Sequence, residues 1–270
     1  MHPIGPSRPA VVLAVAVAAL SQAACGTGAG GDTVQGVRLV ARGVLTTCTH
    51  LPYAPFQFQR RGKVVGFDVD LMDLVARRLN LRQKVVDTDF TAITSGRVFA
   101  GGECDVAAAG MTINSHRAAA IDFSRPYFNS GLVLMARRQP RLNADDVAAE
   151  GLRVGVVVGT TAQEYARARG WTLKAYENSV TELGALRTGQ VDVLVQDDPV
   201  VRYWLTDQDN ADFTIVAGLR TRERYGFAVR KERNPGLLRV INQVIADSRG
   251  DGAYQRIYEK WMGPMPPDAG

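Results

Sequence analysis

Three polar elements of this sequence could hold a small charged ligand. The first is Arg117, a few residues beyond the apolar run Asp105–Ala109, which reads as a short strand broken at Gly110. In open α/β sheets ligands sit in the crevice outside the carboxyl ends of strands. A guanidinium placed there offers a planar fork that matches a carboxylate bidentately. The competing reading is a surface arginine paired with Asp122. The second element is Gly159-Thr160-Thr161, between the Val-rich strand Leu152–Val158 and a helix over Ala162–Arg169. Free N–H groups and the helix dipole at such a junction attract an anion. The same threonines can cap the helix, and the two roles can coexist. No Lys follows the glycine, which argues against a nucleotide phosphate. The third is Asp197, at the end of the buried strand Gly189–Val195, where Asp197 or Asp198 could also cap the helix after Pro199.

Those side chains need a scaffold, and the chain is long enough to supply one. Its 270 residues allow one large or two modest domains, and 46% hydrophobic content suits a substantial core. The net charge is +5, but the basic residues are spread along the chain without a dense run, so nucleic acid is not an expected partner. The 3 His and 3 Cys show no metal-ligand spacing, and no cofactor is expected.

The pattern predicts alternating strands and helices. Val44–Thr49 is the first strand, followed by the aromatic loop His50–Phe56 with two prolines. A hairpin turns at Arg60–Lys63. A helix from Gly66 to about Leu79 carries Leu71, Leu74, Val75 and Leu79 on one face. Asp68 and Asp70 suit its N-terminal dipole and are read as structural. Strand Gln83–Asp87 leads to a helix starting at Asp89-Phe90-Thr91. After Leu132–Ala136, the second half repeats the plan of helix, Gly-x-x-Asp strand and loop at Ser179–Asp198.

Several segments resemble the amino-acid-binding branch of the bacterial extracellular solute-binding proteins, family 3, the periplasmic receptors of ABC importers. The match is carried by Asp105, Val106, Gly110–Ile113, Arg117, Asp122–Ser124, Pro126 and Tyr127. It continues in Tyr53-Ala54-Pro55-Phe56, Gly66-Phe67-Asp68-Val69-Asp70-Leu71, Gly159-Thr160-Thr161 and the closing Ile257-Tyr258-Glu259-Lys260-Trp261. Asn114, Ser115 and His116 depart from the family's Thr-Pro-Glu. The resemblance spans about residues 37–263 and implies a two-lobe, type II periplasmic-binding-protein-like α/β fold. Each lobe would be a mostly parallel sheet flanked by helices. Residues 37–128 plus 226–263 would form lobe 1 and 132–220 lobe 2, joined by crossings near Phe128–Gly131 and Thr221–Tyr225.

The resemblance also implies a site for a free amino acid, closing like a flytrap. Arg117 and the N–H groups near Thr160 and Thr161 would hold its carboxylate. Asp197, Thr112 and the Gly110 carbonyl would hold its ammonium, with Met111 in the same run. Tyr53 and Phe90 would sandwich its side chain. Basic-ligand members often carry an acid where His50 stands, so a polar or acidic ligand side chain is favoured. The implied partner is an ABC permease, and the expected state is a monomer. The alternative on this fold is a cyclohexadienyl or arogenate dehydratase-like enzyme, with Glu177 or Asp197 as general acid.

Residues 1–25 read as an export signal, with Arg8 before the apolar run Ala10–Leu20. Ala23-Ala24-Cys25-Gly26 resembles a lipobox, with Gln22 where Leu is usual. It implies a lipid on Cys25 that anchors the protein to the outer face of the membrane. Residues 26–36 would be a flexible tether and 264–270 a disordered tail. Cys48 and Cys104 would then share an oxidising compartment, which favours a disulfide. Strand register opposes it, since both strands reach the ligand and the cysteines would lie several residues apart. Both readings stay open.

Overall fold

The computed structural model describes residues 1, 2, 5, 33–138 and 142–267. The export signal, Cys25 and most of the proposed tether lie outside the described residues. Two units are distinguished, Met1–Gly30 and Gly31–Gly270, and both lobes belong to the second. Among the described residues no helix is long and apolar enough to cross a membrane.

The unit opens with a hairpin of β1 (Thr33–Val34) and β2 (Val37–Arg38), so residues 33–36 are paired or turn structure rather than tether. Then come β3 (Val44–Thr49), the hairpin β4 (Phe58–Arg60) and β5 (Lys63–Val65), α1 (Phe67–Arg78) and β6 (Arg82–Asp87). The short α2 (Phe90–Thr94) and α3 (Arg97–Ala100) precede β7 (Val106–Ala107), α4 (Ser115–Ala120) and β8 (Ile121–Phe123). Strand β9 (Phe128–Ser130) crosses to the second lobe. That lobe contains β10 (Leu132–Arg137), α5 (Ala144–Ala149), β11 (Arg153–Val157), α6 (Thr161–Ala168), β12 (Thr172–Tyr176), α7 (Ser179–Arg187), β13 (Val193–Asp197), α8 (Asp198–Trp204) and β14 (Phe213–Gly218). The chain returns through β15 (Glu223–Tyr225) to β16 (Ala228–Arg230), α9 (Pro235–Gly250) and α10 (Ala253–Met262).

Each lobe is built on a five-stranded mixed sheet. The first has the order β6-β3-β7-β16-β8, the second β12-β11-β13-β10-β14. In the first, β3 pairs in parallel with β6 and β7, while β16 runs antiparallel between β7 and β8. In the second, β11 pairs in parallel with β12 and β13, and β10 runs antiparallel to β13 and β14. Helices cover the faces of such sheets, which is why β3 and β13 are buried along almost their whole length. The crossings β9 and β15 pair antiparallel, Phe128 opposite Tyr225, so the hinge is a two-stranded ribbon.

One open reading is decided and one expectation changes. The cysteines form a disulfide, Cys48–Cys104, with Cα atoms 5.7 Å apart. The register argument assumed that Cys104 lies within an extended strand. Instead β7 begins at Val106, and Cys104 lies outside it, ahead of the bend at Asp105. Residues 264–267 are not a free tail, because Met265 packs against the core.

Candidate functional site

Both sheets end at one cleft, and the loops there bring the predicted groups together. The cleft holds a cavity between the two lobes. Its wall includes Tyr53, Phe90, Gly110, Thr112 and Arg117 from the first lobe, and Thr160, Thr161 and Asp197 from the second. His50, Gln57, Ala109 and Val157 complete it.

Arg117 reaches the cavity because Asn114 caps α4, its side-chain oxygen accepting the Arg117 N–H at 2.8 Å. That cap turns the helix so that the guanidinium points inward, only 3% exposed. It donates to the carbonyl of Thr112 at 2.9 Å and, across the cleft, to that of Gly159 at 3.1 Å. Its Cζ lies 5.2 Å from the centre of the Phe90 ring. Two carbonyls engage a group with five N–H donors, so a ligand carboxylate can use the rest. Burial pulls its pKa down, against the nearby carboxylates of Glu164, Glu223 and Asp197. Asp122, the alternative partner, is paired with Lys231 at 2.9 Å.

Opposite it, Thr160 is the N-cap of α6, its hydroxyl oxygen accepting the Gln163 N–H at 3.2 Å. The first N–H groups of a helix have no intrahelical partner and carry the positive end of its dipole. Capping and an anion-receptive surface thus coexist here. Gly159 is left-handed at φ +73°, and a Cβ there would come 2.9 Å from the Thr91 side chain of the other lobe.

Asp197 occupies the N-cap position of α8 but makes no side-chain cap hydrogen bond. It instead accepts a hydrogen bond from the Tyr53 hydroxyl of the first lobe, and its second oxygen is buried without a partner. Burial raises its pKa to about 7, aided by Glu223 and opposed by the Tyr53 hydroxyl and Arg117. Behind it, Gln196 donates to Glu182 at 2.8 Å, and its amide oxygen lies 3.1 Å from the Tyr53 hydroxyl oxygen. Asp198 faces outward and pairs with Arg202.

In the first lobe, Gly110 turns the chain at φ +53°, and a Cβ there would meet the Tyr53 ring at 2.8 Å. Its N–H donates to Asp68 at 2.9 Å, and the Tyr127 hydroxyl donates to the same carboxylate. Asp68 therefore braces the ligand-facing turn from beneath. Burial raises its pKa to about 7, against the hydrogen bonds from Gly110 and Tyr127.

The turn at Gly110 also separates its neighbours. Thr112 faces the cavity, but Met111 does not line it. Its side chain is fully buried in a cluster with Cys48 and Ile121, and its carbonyl accepts the Gly226 N–H at 3.0 Å. Glu177 is exposed and lies outside the cavity; only its carbonyl approaches, 2.9 Å from a ring nitrogen of His50. Sequence reasoning missed Gln57. The alternation Phe56-Gln57-Phe58 was the available signal, since two core phenylalanines direct the residue between them the other way.

A model of the bacterial extracellular solute-binding proteins, family 3, matches residues 45–264. The L-cystine-binding protein TcyJ of Escherichia coli (strain K12) is 29% identical over 228 residues, 82% of this chain and 84% of that protein. Among solved structures, an ancestral arginine-binding protein bound to arginine superposes with a TM-score of 0.75 at 34% identity, covering 82% of this chain and 99% of the other. The ancestral amino acid-binding protein AncCDT-1, described as a precursor of cyclohexadienyl dehydratase, gives 0.74 at 30% identity, covering 82% and 96%.

Proposed function

Because the chain belongs to the bacterial extracellular solute-binding proteins, family 3, we propose that it captures one free L-amino acid between its lobes and delivers it to an ABC permease. The observation that carries this reading is the shared cavity. A buried guanidinium from one lobe and a buried carboxylate from the other line the same space. That pair suits the two ends of a zwitterion. Arg117 and the N–H groups at the start of α6 take the ligand carboxylate. Asp197, the Thr112 hydroxyl and the Gly110 carbonyl take the ammonium. Tyr53 and Phe90 flank the side chain.

Both lobes contribute to one small ligand, so binding favours the closed arrangement by its differential affinity for that state. The closed cleft already carries contacts between lobes, including Arg117 to Gly159 and Ser179 to the Pro52 carbonyl at 2.7 Å. The closed form is what a permease would read. The protein acts as a monomer, tethered outside the cell membrane by a lipid on Cys25.

A binding role is preferred to a dehydratase on the candidate acids. Of Glu177 and Asp197, only Asp197 lines the cavity, and there it stands across from Arg117, where it suits a ligand ammonium. TcyJ and the arginine-bound ancestor are both named for amino acids they bind. Isothermal calorimetry against the twenty amino acids tests the reading. One of them should bind with one site per chain, without turnover of prephenate-like acids. Absence of binding by every amino acid overturns it.

A further inference from the structure

We propose that Gln57 selects the ligand's side chain, and that it favours one carrying an N–H or O–H donor over a carboxylate. This rests on the amino-acid reading above. Gln57 is 1% exposed and lines the cavity. Its backbone is held by Tyr53 at both ends: the Gln57 N–H donates to the Tyr53 carbonyl at 3.0 Å, and the Tyr53 N–H donates to the Gln57 carbonyl at 2.7 Å. The side chain thus leaves a fixed turn in a fixed direction.

One end of its amide is engaged. Nε2 donates to the His50 carbonyl at 3.4 Å. Oε1 is buried and has no hydrogen-bond partner. A buried amide oxygen without a donor is costly, so a ligand that supplies one gains against a ligand that does not. The amide cannot answer a carboxylate by rotating. Turning Nε2 towards the cavity would press Oε1 against the His50 carbonyl, acceptor against acceptor.

Two hydroxyl donors in the lining are already engaged. The Tyr53 hydroxyl donates to Asp197, and the Thr160 hydroxyl donates to the Val157 carbonyl at 2.7 Å. The His50 ring nitrogens lie 3.0 and 2.9 Å from the carbonyls of Thr88 and Glu177. Arg117 is committed to the ligand's own carboxylate. A side-chain carboxylate directed at Gln57 would therefore meet Oε1, acceptor against acceptor. An amide, guanidinium, imidazole or hydroxyl would complete it. Of the polar and acidic side chains expected from the sequence, the acidic ones are disfavoured.

The test uses the full chain and a near-isosteric pair. A melting-shift screen of the twenty amino acids should give its largest shift with a side chain that carries a donor. Calorimetry should show glutamine binding at least about tenfold tighter than glutamate, the scale of one hydrogen bond lost against a buried acceptor. Gln57→Leu should weaken the best ligand about tenfold while the unliganded midpoint holds or rises, because the orphaned oxygen is gone. Gln57→Glu should improve arginine or lysine several-fold relative to the natural chain. A best ligand that is acidic or wholly apolar overturns the proposal, as does a Gln57→Leu variant that leaves the best ligand unchanged. If no amino acid binds the natural chain, the amino-acid reading itself has failed. If amino acids bind but glutamate matches glutamine, only this inference has.

Discussion

The loops that end β7 and β13 start from the same local device and deliver opposite charges. Before β7, the Asp105 N–H donates to the Thr46 carbonyl at 2.9 Å, and the Asp105 carboxylate accepts the Thr46 N–H at 2.8 Å. Before β13, the Asp192 N–H donates to the Arg153 carbonyl at 2.8 Å, and the Asp192 carboxylate accepts the Arg153 N–H at 2.8 Å. Each aspartate thus fixes the entry of its strand against a parallel neighbour. The two settings differ. Asp105 is buried and its pKa is raised by that burial, with backbone N–H groups opposing. Asp192 is clamped by the Arg153 guanidinium at 2.7 Å near the surface, and that hydrogen bond lowers its pKa.

Past the strands the lobes diverge further. The first leaves β7 after two residues and spends a loop and α4 on presenting Arg117. The second runs β13 straight into α8, so Asp197 stands at the strand end itself. A long cation needs a loop to reach the centre, whereas a short carboxylate must come from rigid structure beside it. One plan can therefore serve two charges by changing only the segment into which the strand leads.

The comparison breaks hardest at its two charges. Arg117→Met should lower ligand affinity by a hundredfold or more in calorimetry, since an unpaired buried carboxylate costs about 3–5 kcal/mol. Unchanged affinity would show that the cation is not the carboxylate's partner. Asp197→Asn should cost about ten- to a hundredfold. It should also flatten the pH profile. With an Asp197 pKa of about 7, the ligand ammonium favours the ionised form, so natural-chain affinity should rise with pH through neutrality and a proton should be released on binding. Calorimetry in buffers of different ionisation enthalpy reads that proton directly.

The facing glycines sharpen the contrast between closure and folding. Gly159→Ala strains its left-handed turn and also meets Thr91 across the cleft, so binding should weaken several-fold beyond what the loss of unliganded stability accounts for. Gly110→Ala meets Tyr53 within its own lobe, so it should lower both. Equal behaviour of the two variants would mean that the lobes do not close on each other at Gly159. The smallest effect lies in the strand entries. Asp105→Asn should destabilise by about 1–2 kcal/mol, because one of the two backbone N–H groups it accepts, those of Val40 and Thr46, loses its acceptor. Asp192→Asn should cost less, since its clamp is partly solvent-exposed.

Burial also gives a stability signature with an unusual sign. Asp68 and Asp197 have folded-state pKa values raised to about 7, above the ordinary carboxylate value of 3.8. Between those limits the folded state binds more protons than the unfolded chain. The unliganded protein should therefore lose stability as pH rises from about 4 to 7, the opposite of a salt-bridged carboxylate. Thermal midpoints that rise across that window would contradict it.

The sequence by itself determined most elements and the ends at which they meet. The alternation and apolar stripes that mark Val44–Thr49 or the α1 helix are local, and so are the caps at Asn114 and Thr160. A strand's carboxyl end is legible from where its apolar run stops, which put Arg117, Thr160 and Asp197 in view. What needed the tertiary structure was everything set by register and by turns between distant segments. The Cys48–Cys104 bridge depends on a bend that no periodicity marks. The turn at Gly110 sends Met111 to the core and Thr112 to the cavity, two fates for adjacent residues with one shared motif. The short β8 beside β16 was hidden because three residues carry too little pattern to read. Gln57 had a local signal in Phe56-Gln57-Phe58, but its orphaned amide oxygen had none. Whether a buried amide oxygen finds a donor depends on neighbours as distant in the chain as Asp197, and the fold alone brings them together.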